Sequence, residues 1–166
     1  MVYRFCDVYG PGDYHASRII PGTLYRVLHK REKPMLNVYK DSTGKLQSFY
    51  RDMIYIDDLT QAIVLLLKYM ETKQNISEII GEAFNLGTGH TYDMKPVIAK
   101  IMQELGSYAA IEENIVEKGE IKQQCMDYVK LKQKFGFEPQ YSLDIGLQKT
   151  VRWYVEHMED ICEKFI

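Results

Sequence analysis

The sequence predicts an α/β fold whose sheet is too small to close as a doubly wound domain by itself. Helix-like and short strand-like segments alternate along the chain, which is the pattern of α/β proteins. The segment Arg4–Asp13 is typical of a buried strand that runs into a Gly/Pro turn, where α/β enzymes place ligand contacts. Few strong parallel strands follow it, so we expect this chain to be part of a larger fold.

The first strand and the first helix are predicted from local signals. Residues 2–9 are rich in aromatic and β-branched side chains and end at a turn, which indicates a strand. Ser17 is a candidate N-cap for a helix from about 18 to 30, since Pro21 is tolerated in a first helical turn. Leu36–Tyr39 is predicted to be the next short strand.

A strongly apolar helix is predicted in the middle of the chain. Residues 48–56 alternate enough to form a short strand, and Asp57 or Asp58 is the candidate N-cap of a helix from about 58 to 71. The centre of that helix is almost fully apolar and must be buried. The polar residues 72–81 are predicted to be a surface connection.

The second half of the chain continues the alternation. Glu82–Gly87 is predicted to be a strand that ends in glycine, and Asp93 to cap a helix from about 94 to 105. The remaining predictions are a strand at 110–117, a helix at Val129–Phe135 stopped by Gly136, and a helix from about 143 to 164 capped by Ser142. We expect residues 1–166 to form a single domain.

Composition and charge exclude several classes of partner. The net charge of −2 provides no electrostatic footprint for nucleic acid or for an anionic membrane. The longest apolar run, Ala62–Leu67, is too short to span a bilayer. Three widely spaced cysteines, Cys6, Cys125 and Cys162, predict free thiols in a reducing cytoplasm. The scattered histidines predict no metal site.

Six motifs occur in one order that resembles a known family. They are Arg4–Gly12, Arg18–Pro21, Arg51–Asp58, Gly81–Gly87, Asp127–Pro139 and Ser142–Tyr154. Together they cover nearly the whole chain. The sequence is similar to the C-terminal half of the extended short-chain dehydrogenases/reductases, the NAD-dependent sugar-nucleotide epimerases and dehydratases. The resemblance implies the C-terminal part of a Rossmann-like fold with its small substrate-binding subdomain, without the N-terminal dinucleotide-binding half.

The elements that such an enzyme needs for chemistry are not recognisable in this sequence. No G-x-x-G-x-x-G turn follows an opening strand. Two Tyr-x-x-x-Lys spacings occur, starting at Tyr69 and Tyr128, but both lie downstream of the first motif and are rejected as catalytic. We therefore assign no catalytic residue, and we expect the family cofactor, NAD, not to be bound by this chain alone.

The resemblance assigns one arginine and two cofactor neighbours. Arg51 matches the arginine that holds the substrate diphosphate, a role suited to a planar guanidinium. The alternative is a structural ion pair between Arg51 and one of the nearby aspartates, Asp52, Asp57 or Asp58. Phe5 and Cys6 match positions that flank the nicotinamide of NAD, with simple strand packing as their alternative.

Asp7 departs from the family pattern at a substrate position. The family usually carries an asparagine there, and an amide can donate a hydrogen bond whereas a carboxylate cannot. Near a diphosphate, the Asp7 carboxylate would be repelled unless it is protonated or paired, for example with Arg18 or Arg4.

Two of the four remaining substrate candidates also have a purely structural explanation. Arg18 is a second candidate contact, or a solvated arginine in a first helical turn. Val38 and Tyr39 match the strand that lines the nucleotide-base pocket. Asp127 matches an acidic position near the sugar-nucleotide pocket, or it caps the helix that follows.

Two functions remain open. In the first, the chain is the sugar-nucleotide-binding portion of a nucleotide-sugar epimerase (an isomerase) or 4,6-dehydratase (a lyase), inactive in isolation. In the second, it is a non-catalytic interaction or structural protein, a truncated paralogue or one half of a split enzyme. Strand 2–9 would leave an unpaired edge, so we expect a homo-oligomer or a partner that carries the missing half.

Overall fold

A computed structural model describes residues 1–117 and 120–166. The strands within these ranges are β1 Val2–Phe5, β2 Asp7–Tyr9, β3 Met35–Lys40, β4 Leu46–Ser48, β5 Tyr50–Arg51, β6 Met53–Tyr55, β7 Ala83–Leu86, β8 Tyr92–Asp93 and β9 Glu112–Ile115. The α-helices are α1 Ile19–Leu24, α2 Ile56–Tyr69, α3 Lys73–Ile79, α4 Met94–Glu104, α5 Val129–Phe135 and α6 Leu143–Ile161. The alternation of strands and helices agrees with the predicted α/β class.

The predicted opening strand is divided at Cys6. β1 pairs in parallel with β7, and β2 pairs in parallel with β6. The Cys6 N–H donates to the carbonyl of Leu86 at 3.0 Å, whereas the Asp7 N–H donates to the carbonyl of Asp52 at 3.1 Å. The chain therefore changes its partner strand between these two residues, which brings the ends of β1, β6 and β7 together.

Besides these two parallel pairs, the described residues form an antiparallel pair of β5 and β8 and a three-stranded sheet. Its strand order is β4-β3-β9, with β4 antiparallel and β9 parallel to the central strand β3. The predictions of strands at 36–39 and 110–117 are therefore confirmed. The predicted strand 48–56 is instead divided among three short strands, with breaks at the buried residues Phe49 and Asp52.

Two predicted helix caps differ from the structure. The residue at the N-cap of α1 is Arg18, with no side-chain cap, so Ser17 does not cap this helix. After α1 the chain continues as a π-helix over Tyr25–His29. The N-cap of α2 is Tyr55, and the Asp58 carboxylate instead accepts from the backbone of the Gln140–Tyr141 segment at 2.8 and 3.1 Å.

The segment 72–81 lies mostly at the surface, as predicted, but it is not only a connection. This segment contains α3, whose N-cap Thr72 accepts from the Asn75 N–H at 3.1 Å. Ile79 at the end of the helix is buried, whereas most of the segment is exposed. One buried apolar position makes no helical period, so the sequence does not indicate this helix.

The predicted caps of α4 and α6 and the predicted end of α5 are confirmed. The side chains of Asp93 and Ser142 accept from backbone N–H groups of α4 and α6, as N-caps do. Gly136 ends α5 with φ of 68°, the left-handed conformation that glycine adopts at low cost.

Two buried clusters support the site. The larger joins β3, β6, α1, α4 and α6 around Ile98 and Tyr154, both fully buried. The smaller joins β1, β7, α2 and α5 around Phe84 and Leu131. Among the described residues, no helix has the length and apolar character needed to cross a membrane.

Candidate functional site

A cleft of about 550 Å³ opens where β2 ends, between the parallel strands and α1. One wall is Phe5–Tyr9, and the opposite wall is the segment from Ala16 to Thr23. Met35–Asn37 at the start of β3 closes one side, and Arg51 and Glu120 form a charged end. The cleft therefore combines apolar walls with a charged end.

Arg51 is the central cation of the cleft. Its side chain is only 12% exposed. Nη1 donates to the carbonyl of Tyr50 at 2.9 Å, Nη2 donates to the Glu120 carboxylate at 3.2 Å, and Nε lies 3.8 Å from Oδ2 of Asp7. The guanidinium carbon also lies 5.3 Å from the centre of the Phe49 ring. These contacts hold the guanidinium in one orientation and offset its charge.

The ion pairs of Arg51 differ from those considered at the sequence level. Its partners are Asp7 and Glu120 rather than Asp52. Asp7 in turn faces Arg51, not Arg4. Burial raises the pKa of the Asp7 carboxyl, and the guanidinium groups of Arg51 and Arg18 oppose that rise. The carboxylate is thus partly desolvated and only loosely compensated.

Arg18 lies at the mouth of the cleft. Nη1 of Arg18 lies 3.0 Å from Oδ2 of Asp13, and the arginine side chain is 58% exposed. The other oxygen of Asp13 accepts from the backbone N–H of His15 at 3.2 Å. Asp13 therefore fixes both the turn before α1 and the arginine that follows, while the exposed guanidinium keeps donors available to a ligand.

Phe5 and Cys6 both line the cleft, where the resemblance expected cofactor neighbours. The Phe5 side chain is largely exposed, whereas Cys6 is buried. Burial raises the pKa of the Cys6 thiol strongly, and the nearby Asp52 carboxylate adds to the effect. The thiol is therefore protonated at neutral pH and supplies an apolar surface rather than a nucleophile.

Three candidates lie outside the lining of the cleft. Val38 is buried in the larger core cluster, and Tyr39 packs on Phe49 with the Lys122 ammonium over its ring. Asp127 accepts from the Val129 N–H at 2.8 Å, the capping alternative raised above. Strand β3 lines the cleft with its first three residues, Met35–Asn37, and not with Val38 or Tyr39. The roles of Val38 and Tyr39 at a nucleotide base stay predictions.

Sequence reasoning missed Asp13 and Glu120. Both carry carboxylates that neutralise the arginines of the cleft. Asp13 is part of the opening motif. It follows Gly10-Pro11-Gly12, and an aspartate in such a turn often accepts a hydrogen bond from the backbone, so the sequence could have indicated its role. Glu120 had no signal, since it meets Arg51 only through the tertiary fold.

Asp52 organises the turn that follows β7. Its carboxylate is fully buried and accepts from the Thr88 N–H at 2.9 Å, the Thr88 hydroxyl at 2.6 Å, the Gly89 N–H at 3.1 Å and the Met126 N–H at 3.0 Å. Gly87 is needed beside it, because a Cβ there would lie 2.6 Å from Asp52 Oδ2. Four donors satisfy the carboxylate without a cation.

This arrangement bears on the cofactor that the family uses. A dinucleotide needs free backbone N–H groups in a glycine-rich turn at a helix start. In the turn Gly87–Gly89 two of those N–H groups already donate to Asp52. The Gly87–Gly89 turn therefore does not provide the free N–H groups that the diphosphate of NAD needs, whereas Phe5 and Cys6 form an apolar wall of the cleft. Within the same ranges no group of three His, Cys, Asp or Glu side chains fits a metal ion.

Two solved structures have the same fold as this chain. Both the dTDP-glucose 4,6-dehydratase of Bacillus anthracis, solved with NAD, and the UDP-glucose 4-epimerase of Thermotoga maritima, solved with UDP-glucose, are 26% identical to it with a TM-score of 0.74. Each match covers 95% of this chain, but only 45% of the dehydratase and 46% of the epimerase.

Sequence comparison leads to the same group of proteins. The UDP-glucuronate 4-epimerase of Thermodesulfobacterium geofontis is 29% identical over 162 residues, which is 95% of this chain and 44% of that protein. The chain thus spans less than half the length of these relatives. Residues 1–87, more than half of the chain, match the family described as the NAD dependent epimerase/dehydratase family. The chain therefore belongs to the NAD dependent epimerase/dehydratase family.

Proposed function

We propose that this chain is the sugar-nucleotide-binding portion of a nucleotide-sugar epimerase or 4,6-dehydratase. The observation that carries the proposal is Arg51, an oriented and mostly buried guanidinium at the charged end of a 550 Å³ cleft. Arginine binds phosphate oxygens in pairs, so this end suits a diphosphate. Arg18 at the mouth would supply a second set of donors, and the apolar wall would face the less polar part of the ligand.

The relatives support this substrate class. The Thermotoga maritima epimerase was solved with UDP-glucose, and the Bacillus anthracis dehydratase with NAD. The reaction type, isomerase or lyase, stays open because both kinds occur among the relatives. Val38, Tyr39 and Asp127 remain proposed rather than placed contacts of the nucleotide.

We propose further that the isolated chain does not catalyse the reaction. Hydride transfer would need NAD, and two N–H groups of the Gly87–Gly89 turn already donate to Asp52 rather than facing a ligand. Neither tyrosine of the Tyr-x-x-x-Lys spacings lines the cleft. Tyr69 donates to Glu78 at 2.5 Å, and Tyr128 packs against Phe137. The proposal therefore assigns cofactor binding and acid/base chemistry to a longer protein or a partner chain.

Calorimetric titration tests the binding function. The probes are UDP-glucose, UDP-glucuronic acid and dTDP-glucose. We expect at least one to bind the purified chain, and Arg51→Lys to weaken it about tenfold because lysine lacks the bidentate fork. Arg152→Lys is the matched control, since Arg152 is an exposed arginine of α6 that pairs with Glu156 one turn along the same helix and does not line the cleft.

Two results contradict this proposal. The first is the absence of binding for all three probes. The second is equal weakening by Arg51→Lys and Arg152→Lys, which would place binding outside the cleft. Turnover of a nucleotide sugar by the purified chain with added NAD would overturn the proposed inactivity alone.

A second function is favoured by the exposed surface around β1. Val2 and Phe5 on β1 and Leu67 on α2 are all more than two-fifths exposed, so the apolar centre of α2 is not fully buried, contrary to the prediction from the sequence. In the described residues β1 pairs with β7 on one edge only. Such an edge favours pairing with another chain. An interaction protein that oligomerises, or one that binds a chain carrying the missing half, is the alternative.

Light scattering distinguishes the two functions. An interaction protein that self-associates through β1 would form a dimer or larger species, and Phe5→Lys would return it to the monomer. A monomer at high concentration that still binds a nucleotide sugar would exclude self-association. The three cysteines of the chain are free in this structure. The location in a reducing cytoplasm stays a prediction.

A further inference from the structure

The carboxylate of Asp7 has no hydrogen-bond donor within the described ranges of the chain. Asp7 forms an ion pair with Arg51, in which Nε of Arg51 lies 3.8 Å from Oδ2 of Asp7. This distance is too long for a hydrogen bond. The side chain is 48% exposed and lies on the wall of the cleft. Burial raises the pKa of this carboxyl because desolvation outweighs the attraction of Arg51 and Arg18. Asp7 therefore has acceptor capacity that the protein itself does not use.

The charges around Asp7 disfavour a ligand that is only an anion. The cleft is lined by Arg18, Arg26 and Arg51, and each already pairs with a carboxylate. A bare diphosphate would have to displace those partners while its own charge lies near Asp7. Like charges at this range raise the free energy of the complex.

We propose that Asp7 is a specificity-determining residue that selects ligands carrying a hydroxyl donor next to the phosphate group held by Arg51. The inference rests on the function proposed above and deepens it. A carboxylate accepts but does not donate, so it discriminates between a sugar hydroxyl and a phosphate oxygen. A hydroxyl that donates to a carboxylate makes a hydrogen bond about twice as strong as a neutral one.

The proposal separates Asp7 from Arg51 in their effects on binding. Arg51 attracts every ligand that has a diphosphate. Asp7 lowers the affinity for the diphosphate alone and raises it for the sugar-bearing form. The quantity that reports on Asp7 is therefore the ratio of two dissociation constants, one for the nucleoside diphosphate and one for its sugar conjugate.

Calorimetry on the full chain measures this ratio with UDP, UDP-glucose, dTDP and dTDP-glucose. In Asp7→Asn we expect the preference for the sugar form to fall about tenfold, since the bare diphosphate gains affinity and the hydroxyl loses its charged acceptor. Asp160→Asn is the matched control, because Asp160 is exposed on α6 and does not line the cleft. It should leave the ratio unchanged.

Asp7→Ser is a second variant that removes the carboxylate with less bulk, and it should lower the same ratio. Circular dichroism verifies that each variant is folded. Binding by folded variants with the ratio of the wild-type chain overturns this proposal and leaves the proposed function standing. Failure of the wild-type chain to bind any of the four probes overturns both.

Discussion

Nη2 of Arg51 lies 3.2 Å from Oε1 of Glu120, a residue 69 positions further along the chain. This contact occupies one of the donors that an anionic ligand needs for bidentate binding. A carboxylate of the same protein therefore competes with the ligand for the central cation of the cleft.

Removing the competing charge should tighten anion binding. We expect Glu120→Gln to bind inorganic pyrophosphate about threefold to tenfold more tightly than the wild-type chain, because the anion no longer displaces a carboxylate. Titration calorimetry at fixed ionic strength measures the change. Glu117→Gln carries the same charge change outside the cleft lining and should have little effect. Equal gains in both variants would mean that only net charge matters.

The buried carboxylate of Asp52 should be critical for stability. Asp52→Asn replaces one acceptor oxygen by an NH₂ group, which would face the Thr88 N–H at the Oδ1 position or the Gly89 and Met126 N–H groups at the Oδ2 position. We expect the free energy of unfolding to fall by about 2–4 kcal/mol. Urea unfolding followed by circular dichroism measures the loss. Asp160→Asn, at an exposed site, should change it by less than about 0.5 kcal/mol.

Gly146 should reject a methyl group although it lies inside a helix. A Cβ at this position would be 2.1 Å from the hydroxyl oxygen of Tyr9. Gly→Ala in a helix interior usually stabilises by about 1 kcal/mol. Here we expect the opposite, a loss of about 1–3 kcal/mol from overpacking.

The Tyr9→Phe background provides the control for this prediction. Phenylalanine lacks the hydroxyl oxygen, so the cost of Gly146→Ala should be smaller there, although the ring carbon at 2.8 Å still crowds the methyl. Thermal unfolding of the four proteins in this double-mutant cycle measures the coupling. A cost of Gly146→Ala that is equal in both backgrounds would contradict the clash.

The raised pKa of Asp7 predicts how stability depends on pH. The folded state holds the Asp7 proton to higher pH than the unfolded state, whose pKa is near the ordinary value of 3.8. Between the two pKa values the folded state binds more protons, so the contribution of Asp7 to stability falls as pH rises through that window and then levels off. Asp7→Asn removes this fall, so its stability relative to the wild-type chain should increase from about pH 4 towards neutrality.

Asp41 should show the opposite dependence. Hydrogen bonds from the Thr43 hydroxyl, the Gln47 amide and nearby backbone N–H groups hold its pKa well below the ordinary value. Its contribution is present above that value and is lost as pH falls towards the folded pKa. Asp41→Asn should therefore lose stability relative to the wild-type chain as pH rises through about 4. Denaturant unfolding over a pH series measures both variants, and slopes of the same sign would contradict the assignment.

Elements with strong local signals were predictable from the sequence. The caps Asp93 and Ser142 and the terminator Gly136 act through bonds to residues within three positions or through their own backbone conformation. These helix boundaries need no tertiary contact, and for that reason the sequence predicts them correctly. The helix at Lys73–Ile79 was not predicted, because the burial of Ile79 depends on contacts with residues distant in the sequence.

The candidate site was predictable only in part. Arg51, Arg18, Asp7, Phe5 and Cys6 were named from the family motifs, and all five line one cleft. Their partners were not, since Asp13 was overlooked and Glu120 reaches Arg51 across a long stretch of chain. Which charged side chains pair depends on where distant loops lie in the folded protein. No spacing in the sequence predicts that position.

The sequence by itself determined the α/β class, the family resemblance and the residue types at the cleft, because periodicity, caps and motifs are local properties of a chain. Only the tertiary structure decided that Asp52 is a buried acceptor while Arg51, its neighbour, is a cleft cation. Successive side chains of a strand point to opposite faces, so adjacent charges in sequence meet different surroundings. What each face meets is set by the packing of distant segments.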